Sequence, residues 1–296
     1  MLTEEDPHAG APTEHLAVLG SPIGHSKSPA IHAAAYRELG LAWSYGREEL
    51  RAEELADFLR AHLRGGWRGF SLTMPLKEEA HRLAAILDPV AQESGVVNTL
   101  LRLDSETQPW AGFNTDVGGL AAAVREAGLD ATRTVVLGAG ATAVSAALAA
   151  MGLGAERVTI AARRLEAARA VAERFGTGAV TLGSADTERL HRDATLVIST
   201  LPGSAGELVE LPPALPSIPL FDVAYDPWPS PLAERWRLAG GEAHSGIGML
   251  VEQALLQVRI FVNGDPSMAL PGETRVIAAM HEAAEGAEGT PASMGD

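Results

Sequence analysis

The feature that most restricts how this chain can fold is a largely apolar run at residues 134–137 that leads directly into Gly138-Ala139-Gly140. A helix pattern begins at residue 142, immediately after the glycines. A strand without polar alternation is typical of a parallel sheet whose two faces are both covered by helices. Strand and helix patterns also alternate along much of the chain, which predicts an α/β protein.

This alternation predicts the main elements. Strand patterns lie at residues 15–20, 43–47, 69–72, 96–103, 134–137, 157–161, 195–199 and 220–223. Helix patterns lie at residues 29–39, 53–63, 75–87, 117–126, 142–151 and 249–261. A chain of 296 residues is long enough for two domains, each with its own core. The glycine motif lies mid-chain, which leaves room for a separate domain before it.

Composition excludes several classes of partner. The formal net charge is −15, whereas nucleic acids and anionic membranes attract clusters of Lys and Arg. Cysteine is absent, so disulfides and thiolate metal sites are excluded, and we predict a cytoplasmic protein. The acidic start, residues 1–14, lacks the pattern of a signal peptide. Residues 285–296 read as a loose polar tail. No histidine or carboxylate spacing predicts a metal site.

The glycine motif predicts a dinucleotide site. Its residues fit the pattern G-x-G-x-x-A and are Gly138, Ala139, Gly140, Ala141, Thr142 and Ala143. In that pattern the first glycine makes the tight turn, the second lets a pyrophosphate approach, and the third small residue lets the helix pack on the strand. The phosphates then lie at the helix N-terminus. The alternative is a tight strand-to-helix turn without a ligand.

Two arginines favour NADP over NAD. The strand predicted at residues 157–161 leads into Ala162-Arg163-Arg164. An NAD site usually carries an acidic residue at this strand end for the ribose hydroxyls, whereas guanidinium groups suit a 2′-phosphate. The alternative is that Arg163 and Arg164 form the solvated start of the next helix.

Lysine is scarce enough to be informative. Lys27 and Lys77 are the two lysines among 23 basic residues, and the others are arginines. Lysine can give up its proton inside a protein, whereas arginine cannot. Both lysines lie in hydroxyl-rich segments beside a proline, so each is a candidate for acid/base chemistry. The alternative is that both are ordinary surface residues.

Small polar residues cluster before the glycine motif. Ser26 and Ser28 could both donate to one carboxylate, and Asn98 and Asp116 could hold vicinal hydroxyls. Thr73 lies four residues before Lys77. Each has a structural alternative, since serines and aspartate cap helices and Asn98-Thr99 suits a turn.

Together these segments resemble one family, the shikimate dehydrogenases. The resemblance runs from about residue 18 to about residue 266 and is carried by residues 21–29, 72–77, 95–99, 114–116, 222–227 and 246–254. The chain departs from the family pattern at Ser71, where the family usually has asparagine, and at Val117, where glycine is common. Ala141-Thr142-Ala143 and Ala162-Arg163-Arg164 are also looser than the family's usual glycine loop and basic patch.

The resemblance implies a two-domain enzyme. Residues 1–116 and 247–296 would form an α/β substrate domain, to which the C-terminal helices return, and residues 117–246 a Rossmann-type NADP domain. The reaction would be reversible reduction of 3-dehydroshikimate to shikimate by NADPH. Lys77 would be the acid/base group, paired with Asp116. The remaining substrate residues would be Ser26 and Ser28 for the carboxylate, and Thr73, Asn98, Tyr225 and Gln253. Gly246 and Met249 would contact the cofactor.

Two alternatives remain open at this point. A quinate/shikimate dehydrogenase using NAD or NADP would differ by accepting one extra hydroxyl. A non-catalytic sensor of pathway ligands would need no proton donor, which the presence of Lys77 and Asp116 disfavours. The sequence leaves the choice between monomer and homodimer open.

Overall fold

The described part of the protein, taken from a computed structural model, comprises residues 13–105, 107, 109–183, 190, 192–207, 209–210 and 212–286. Most of the two predicted tails, residues 1–12 and 287–296, lies outside it. The chain forms two compact units. The flanking unit contains the chain up to Asn114 and from Ala254 onward, and the central unit is Thr115–Gln253. The predicted boundaries between a substrate domain and an NADP domain, at 116/117 and 246/247, remain predictions.

The flanking unit contains a mixed sheet with strand order β2-β1-β3-β5-β6-β4. Its strands are β1 (Glu14–Gly20), β2 (Trp43–Glu49), β3 (Trp67–Leu72), β4 (Ile86–Leu87), β5 (Thr99–Arg102) and β6 (Trp110–Phe113). Strands β2, β1 and β3 are parallel, whereas β5 runs antiparallel to β3 and to β6. This sheet therefore departs from the purely parallel arrangement that the alternation alone suggests.

Helices cover this sheet. They are α1 (Ser28–Glu38), α2 (Leu55–Ala61), α3 (Lys77–Leu83) and α4 (Pro89–Ser94). The long helix α9 (Ile247–Asn263) crosses the boundary between the units, and α10 (Glu273–Gly286) packs on α1. The core of the flanking unit includes the fully buried Leu55, Phe70 and Leu100.

Two predictions for this unit are wrong. The helix predicted to reach residue 87 ends at Leu83, because Ala84 is extended and Ala85 N donates to Trp110 O at 3.0 Å. The next residues, Ile86–Leu87, form β4 beside β6. The strand predicted from residue 96 begins only at Thr99. Strands β4 and β6 were not predicted: both are short, and β6 pairs with β5 and with β4.

The central unit contains a parallel sheet with strand order β12-β11-β10-β7-β8-β9. Its strands are β7 (Arg133–Leu137), β8 (Arg157–Ala162), β9 (Gly178–Thr181), β10 (Leu196–Ser199), β11 (Leu220–Asp222) and β12 (Ala243–Ser245). Its described helices include α5 (Asp116–Glu126), α6 (Ala141–Gly152), α7 (Leu165–Phe175) and α8 (Pro231–Leu238). Counted from β7, this order is the 3-2-1-4-5-6 arrangement of the Rossmann fold. The predicted fold class is therefore confirmed.

Apolar clusters cover both faces of the central sheet. One contains Val136 and Ile160 with the alanines of α6, and the other contains Val135, Val197 and Trp236. Trp236 is fully buried and its indole N–H donates to Ile218 O at 2.9 Å. Among the helices that the structure describes, none is both long and apolar enough to pass through a bilayer.

Replacing Gly69 tests how closely the flanking sheet is packed. A Cβ at this position of β3 would lie 2.4 Å from Leu100 O and 2.6 Å from Phe261 Cε1. We expect Gly69→Ala to lower the free energy of unfolding by about 1–3 kcal/mol, because the backbone carbonyl cannot move aside without disturbing the ladder.

A matched control lies in the same sheet. At Gly46 of β2 an added Cβ meets nothing within 4 Å, so Gly46→Ala should change the free energy of unfolding by less than about 0.5 kcal/mol. Denaturant titration of both variants makes the comparison. Equal stabilities would contradict the packing described for Gly69.

Candidate active site

Three segments of the flanking unit meet at one edge of its sheet. Strands β1 and β3 end there, and the antiparallel β5 begins there. Hydrogen bonds join the segments, since Thr73 N donates to Leu19 O at 2.9 Å and Leu72 N donates to Asn98 O at 2.7 Å. The structure therefore brings Thr73 and Asn98 to the same sheet edge.

Ser26 and Ser28 lie in the loop that follows β1 and at the start of α1. Ser28 is the first residue of α1, and the N-cap position is Lys27. Neither serine occupies the cap itself, although Ser26 Oγ accepts a hydrogen bond from Ser28 N at 3.3 Å. Ser28 is buried and Ser26 is half-buried. Two hydroxyls one residue apart are thus held by a short, constrained segment.

The two lysines have different environments. Lys27 is 6% exposed and its Nζ donates to Ala284 O of α10 at 3.1 Å, so it ties the serine loop to the C-terminal helix. Lys77 is half-buried and is the first residue of α3. Its carbonyl accepts from Val97 N at 2.9 Å, which links α3 to the segment that carries Asn98. The structure thus gives Lys27 a structural role and places Lys77 beside the strand edge.

A buried polar network lies beneath this edge. Gln257 of α9 is 2% exposed, and its Nε2 is 3.2 Å from Asn98 O and 3.1 Å from Thr99 Oγ1. Its Oε1 is 2.8 Å from Ser71 Oγ and 3.2 Å from His32 Nε2. The sequence identified Asn98 but missed the network; its one signal is a glutamine in an apolar helix, one turn after Gln253.

Aromatic hydroxyls extend the network. Tyr45 Oη lies 2.6 Å from Ser71 Oγ, and Tyr36 Oη lies 3.1 Å from His32 Nδ1. The His32 ring stacks on Tyr45 with their centroids 4.0 Å apart. Burial lowers the pKa of His32 to about 3, against a weaker opposing effect of its hydrogen bond to Gln257. His32 is consequently a neutral core residue.

The link between the units carries Asn114 and Asp116. In the flanking unit, Asn114 Nδ2 donates to Ser94 Oγ at 2.9 Å. In the central unit, Asp116 is the first residue of α5 and is 5% exposed. The N-cap position belongs to Thr115, so the alternative of Asp116 as the cap residue is wrong. A carboxylate in the first turn is favoured by the helix dipole.

Further predicted residues lie in the central unit around α9. Gln253 is 8% exposed, and its Oε1 accepts from Thr115 Oγ1 at 3.4 Å. Met249 is buried in the apolar cluster on one sheet face. Tyr225 follows β11, and burial, aided by Asp226, raises its pKa.

Gly246 follows β12, at a position where the neighbouring backbone leaves no room for a side chain. A Cβ there would lie 2.2 Å from Val223 O, so a larger residue would displace the β11–β12 edge. Its own N–H donates to Ala224 O at 3.1 Å. Gly246 and Tyr225 therefore both lie at the carboxyl edge of the parallel sheet.

The glycine motif occupies the same carboxyl edge, after β7. Gly138 has a φ of +118°, and a Cβ there would lie 2.3 Å from Thr200 Oγ1. Gly140 is the N-cap of α6, and an added Cβ would meet nothing within 4 Å, which leaves its backbone open to a ligand. Ala143 is fully buried beneath the helix start. Ala139, Ala141 and Thr142 are half-buried.

This arrangement fits a dinucleotide. The first N–H groups of α6 have no intrahelical partner, and a helix N-terminus attracts phosphate. Arg163 and Arg164 follow β8, the neighbour of β7, and both are exposed. Arg164 is the N-cap of α7 without a side-chain cap bond. Two guanidinium groups therefore lie at the strand end where a 2′-phosphate is bound in Rossmann folds.

Among the described residues, no three His, Asp or Glu side chains come together as a metal site would require. The predicted site residues supply hydroxyls, amides, one lysine, one buried carboxylate and a pair of arginines. They suit a hydroxylated carboxylic acid and a phosphorylated cofactor.

Known proteins resemble the chain over most of its length. Residues 18–100 match the shikimate dehydrogenase substrate binding domain. The shikimate dehydrogenase (NADP(+)) of Syntrophobacter fumaroxidans is 34% identical over 278 residues, 91% of this chain and 94% of that protein. That of Alkalilimnicola ehrlichii is 37% identical over 253 residues, 82% of this chain and 91% of that protein.

Solved structures agree. Shikimate 5-dehydrogenase of Thermus thermophilus, in complex with NADP(H) and shikimate, has a TM-score of 0.79 and 33% identity, with 93% of this chain and 99% of that chain covered. Shikimate dehydrogenase of Mycobacterium tuberculosis has a TM-score of 0.77 and 34% identity, with coverages of 91% and 99%. The resemblance found in the sequence motifs is confirmed. Since a relative is 34% identical across 91% of the chain, this protein belongs to the shikimate dehydrogenase family.

Proposed function

We propose that the protein catalyses the reversible, NADPH-dependent reduction of 3-dehydroshikimate to shikimate. The observation that carries this proposal is the combination of family membership with the site residues themselves: Lys77, Thr73 and Asn98 lie at one sheet edge, and a Rossmann sheet carries the glycine motif. Relatives that bear the name shikimate dehydrogenase (NADP(+)) support it.

Substrate binding follows from the chemistry of each group. Ser26 and Ser28 donate to the substrate carboxylate. Thr73, Asn98, Asp116 and Gln253 bind its hydroxyls, and Tyr225 adds a phenolic hydroxyl. These assignments use neutral donors and one carboxylate, which suits a polyhydroxylated acid.

The reduction needs a hydride and a proton. NADPH, when bound, supplies the hydride to the carbonyl carbon. Lys77 donates the proton to the oxygen that becomes the new hydroxyl, and Asp116 is the catalytic carboxylate paired with it. In the reverse direction neutral Lys77 removes the proton from the hydroxyl. Lysine suits this role because arginine remains protonated throughout.

The cofactor would be held by residues at the carboxyl edge of the central sheet. Gly138 and Gly140 give the pyrophosphate access to the start of α6, together with Ala139, Ala141, Thr142 and Ala143. Arg163 and Arg164 bind the 2′-phosphate. Gly246 and Met249 form the nicotinamide side of the site.

We also propose that the protein acts in the cytoplasm, with which a cysteine-free sequence is compatible. Monomer and homodimer both remain predictions.

Replacing Lys77 tests the acid/base assignment. We expect Lys77→Ala to lower kcat by roughly 10²–10⁴-fold with a much smaller change in KM, since proton donation matters mainly in the transition state. Lys77→Arg should be similarly slow, because it keeps the charge but cannot exchange the proton. Steady-state rates with 3-dehydroshikimate and NADPH measure both. A Lys77→Arg enzyme with near wild-type kcat would leave only an electrostatic role for Lys77.

Replacing Arg163 and Arg164 with serine tests cofactor preference. We expect KM for NADPH to rise roughly 10- to 100-fold and KM for NADH to change less than about twofold, because only NADPH carries the 2′-phosphate. The matched control replaces Arg157, at the opposite end of β8, and Arg169 of α7, which removes the same charge. Parallel losses with both cofactors, or an equal effect of the control, would remove the arginines from 2′-phosphate recognition.

The serine pair predicts a preference for shikimate over quinate. Quinate has a saturated ring and an extra hydroxyl on the carbon that bears the carboxylate. If that hydroxyl is left unpaired, binding weakens by about 1–3 kcal/mol, which is roughly 10- to 100-fold in kcat/KM. The test compares kcat/KM for the two acids in the oxidative direction with NADP and with NAD. Equal or better use of quinate with either cofactor would favour the quinate/shikimate dehydrogenase alternative instead.

A further inference from the structure

The hydrogen-bond network of Gln257 has only one consistent set of donor directions. Its Nε2 lies 3.2 Å from Asn98 O, a backbone carbonyl that can only accept. This contact identifies which end of the Gln257 amide is nitrogen. The opposite end, Oε1, can only accept, so it receives hydrogen bonds from Ser71 Oγ and His32 Nε2.

Two further directions follow on the aromatic side. The Ser71 hydroxyl gives its hydrogen to Gln257, so the Tyr45 hydroxyl must donate to Ser71 Oγ. His32 carries its proton on Nε2, so its Nδ1 accepts from the Tyr36 hydroxyl. Neutral imidazole has one donor and one acceptor nitrogen, and this arrangement uses both.

Thr99 connects Gln257 to the side-chain amide of Asn98 by hydrogen bonds. Its Oγ1 accepts from Gln257 Nε2 at 3.1 Å and lies 2.8 Å from Asn98 Oδ1. Thr99 is 0% exposed, and within the described residues Asn98 Oδ1 is the one side-chain acceptor that its hydroxyl hydrogen reaches. The Thr99 hydroxyl therefore donates to Asn98 Oδ1, and the Asn98 amide oxygen faces Thr99.

We propose that Gln257 and Thr99 are positioning residues that orient the Asn98 side chain so that it meets the substrate as a hydrogen-bond donor through Nδ2. The inference rests on the proposed function, in which Asn98 binds a substrate hydroxyl, and it adds the direction of that bond. The hydroxyl oxygen is the acceptor, which leaves its hydrogen for an acceptor elsewhere in the site.

This orientation also explains why the network is buried. A side-chain amide that can rotate freely would present oxygen or nitrogen to the ligand, and only one of them matches a given hydroxyl geometry. Because Gln257 contacts β3 through Ser71 and β5 through Thr99, it holds the segments that lead to Thr73 and Asn98 at the same time.

A double-mutant cycle tests the relay. We expect Thr99→Val to raise KM for 3-dehydroshikimate roughly tenfold, with kcat changed less, since one neutral hydrogen bond to the substrate is weakened. Thr99→Ser keeps the hydroxyl and should stay within about twofold of wild type. In an Asn98→Ala background, Thr99→Val should have almost no further effect on KM.

Each outcome of the cycle decides the proposal. Thr99→Val acting equally in both backgrounds would overturn it, because Thr99 would then not act through Asn98. Equal losses in Thr99→Ser and Thr99→Val would overturn it as well, since the hydroxyl would be irrelevant. Thermal unfolding of each variant identifies any loss that comes from stability alone, and Thr99→Ser keeps the test informative if Thr99→Val does not fold.

A second measurement needs no substrate and separates this inference from the proposed function. The ¹⁵N spectrum of the histidine rings, with His32 assigned through a His32→Asn variant, reports which nitrogen carries the proton. Burial lowers the pKa of His32 to about 3, so the neutral ring can be read at about pH 6, where exposed histidines titrate.

We expect the Nε2–H tautomer in wild type and an altered His32 signal in Gln257→Leu. An Nδ1–H tautomer would reverse the direction of the Gln257 amide and overturn the inference. A wild-type enzyme that shows the Nε2–H tautomer but does not reduce 3-dehydroshikimate would overturn the proposed function and leave the network directions supported.

Discussion

The antiparallel direction of β5 is the constraint on which the flanking site depends. In a parallel sheet the carboxyl ends of strands share an edge, and β1 and β3 follow that rule. Strand β5 runs the other way, so its beginning, rather than its end, lies at this edge. Asn98 thus reaches the site from the start of a strand, while Thr73 reaches it from the end of one. A parallel β5 would carry Asn98 to the opposite edge of the sheet.

That geometry requires buried polar groups, and their hydrogen bonds must be satisfied within the protein. Gln257 meets the requirement with one side chain whose two ends contact β3, β5 and α1. Ser71 is small enough to hydrogen-bond both Gln257 and Tyr45, although the family usually has asparagine at this position. The central unit is built differently from the flanking unit. Its sheet is covered by apolar side chains on both faces, and the groups proposed to bind the cofactor are backbone and surface groups at the carboxyl edge.

This difference explains what could be predicted from the sequence. The Rossmann half is encoded locally, since the strand at residues 133–137, the glycines and α6 follow one another directly. The flanking sheet combines parallel and antiparallel pairings of short strands, which no single periodicity marks, so the end of α3 and the start of β5 were misplaced and β6 was missed. The predicted polar residues at its edge came from motifs. Gln257 and His32 were missed because they are 225 residues apart in sequence, and neither belongs to a motif.

The two lysines show where reasoning from residue type reaches its limit. Because lysine is scarce in this arginine-rich chain, both lysines were candidates for acid/base chemistry. At Lys27 the buried ammonium donates to the carbonyl of Ala284, which ties the start of α1 to α10. At Lys77 the proposed acid/base role rests on its place at the sheet edge beside Thr73 and Asn98, because lysine can release its proton and arginine cannot. Residue scarcity therefore identifies a chemical constraint, and only the surroundings tell a buried structural bond from acid/base chemistry.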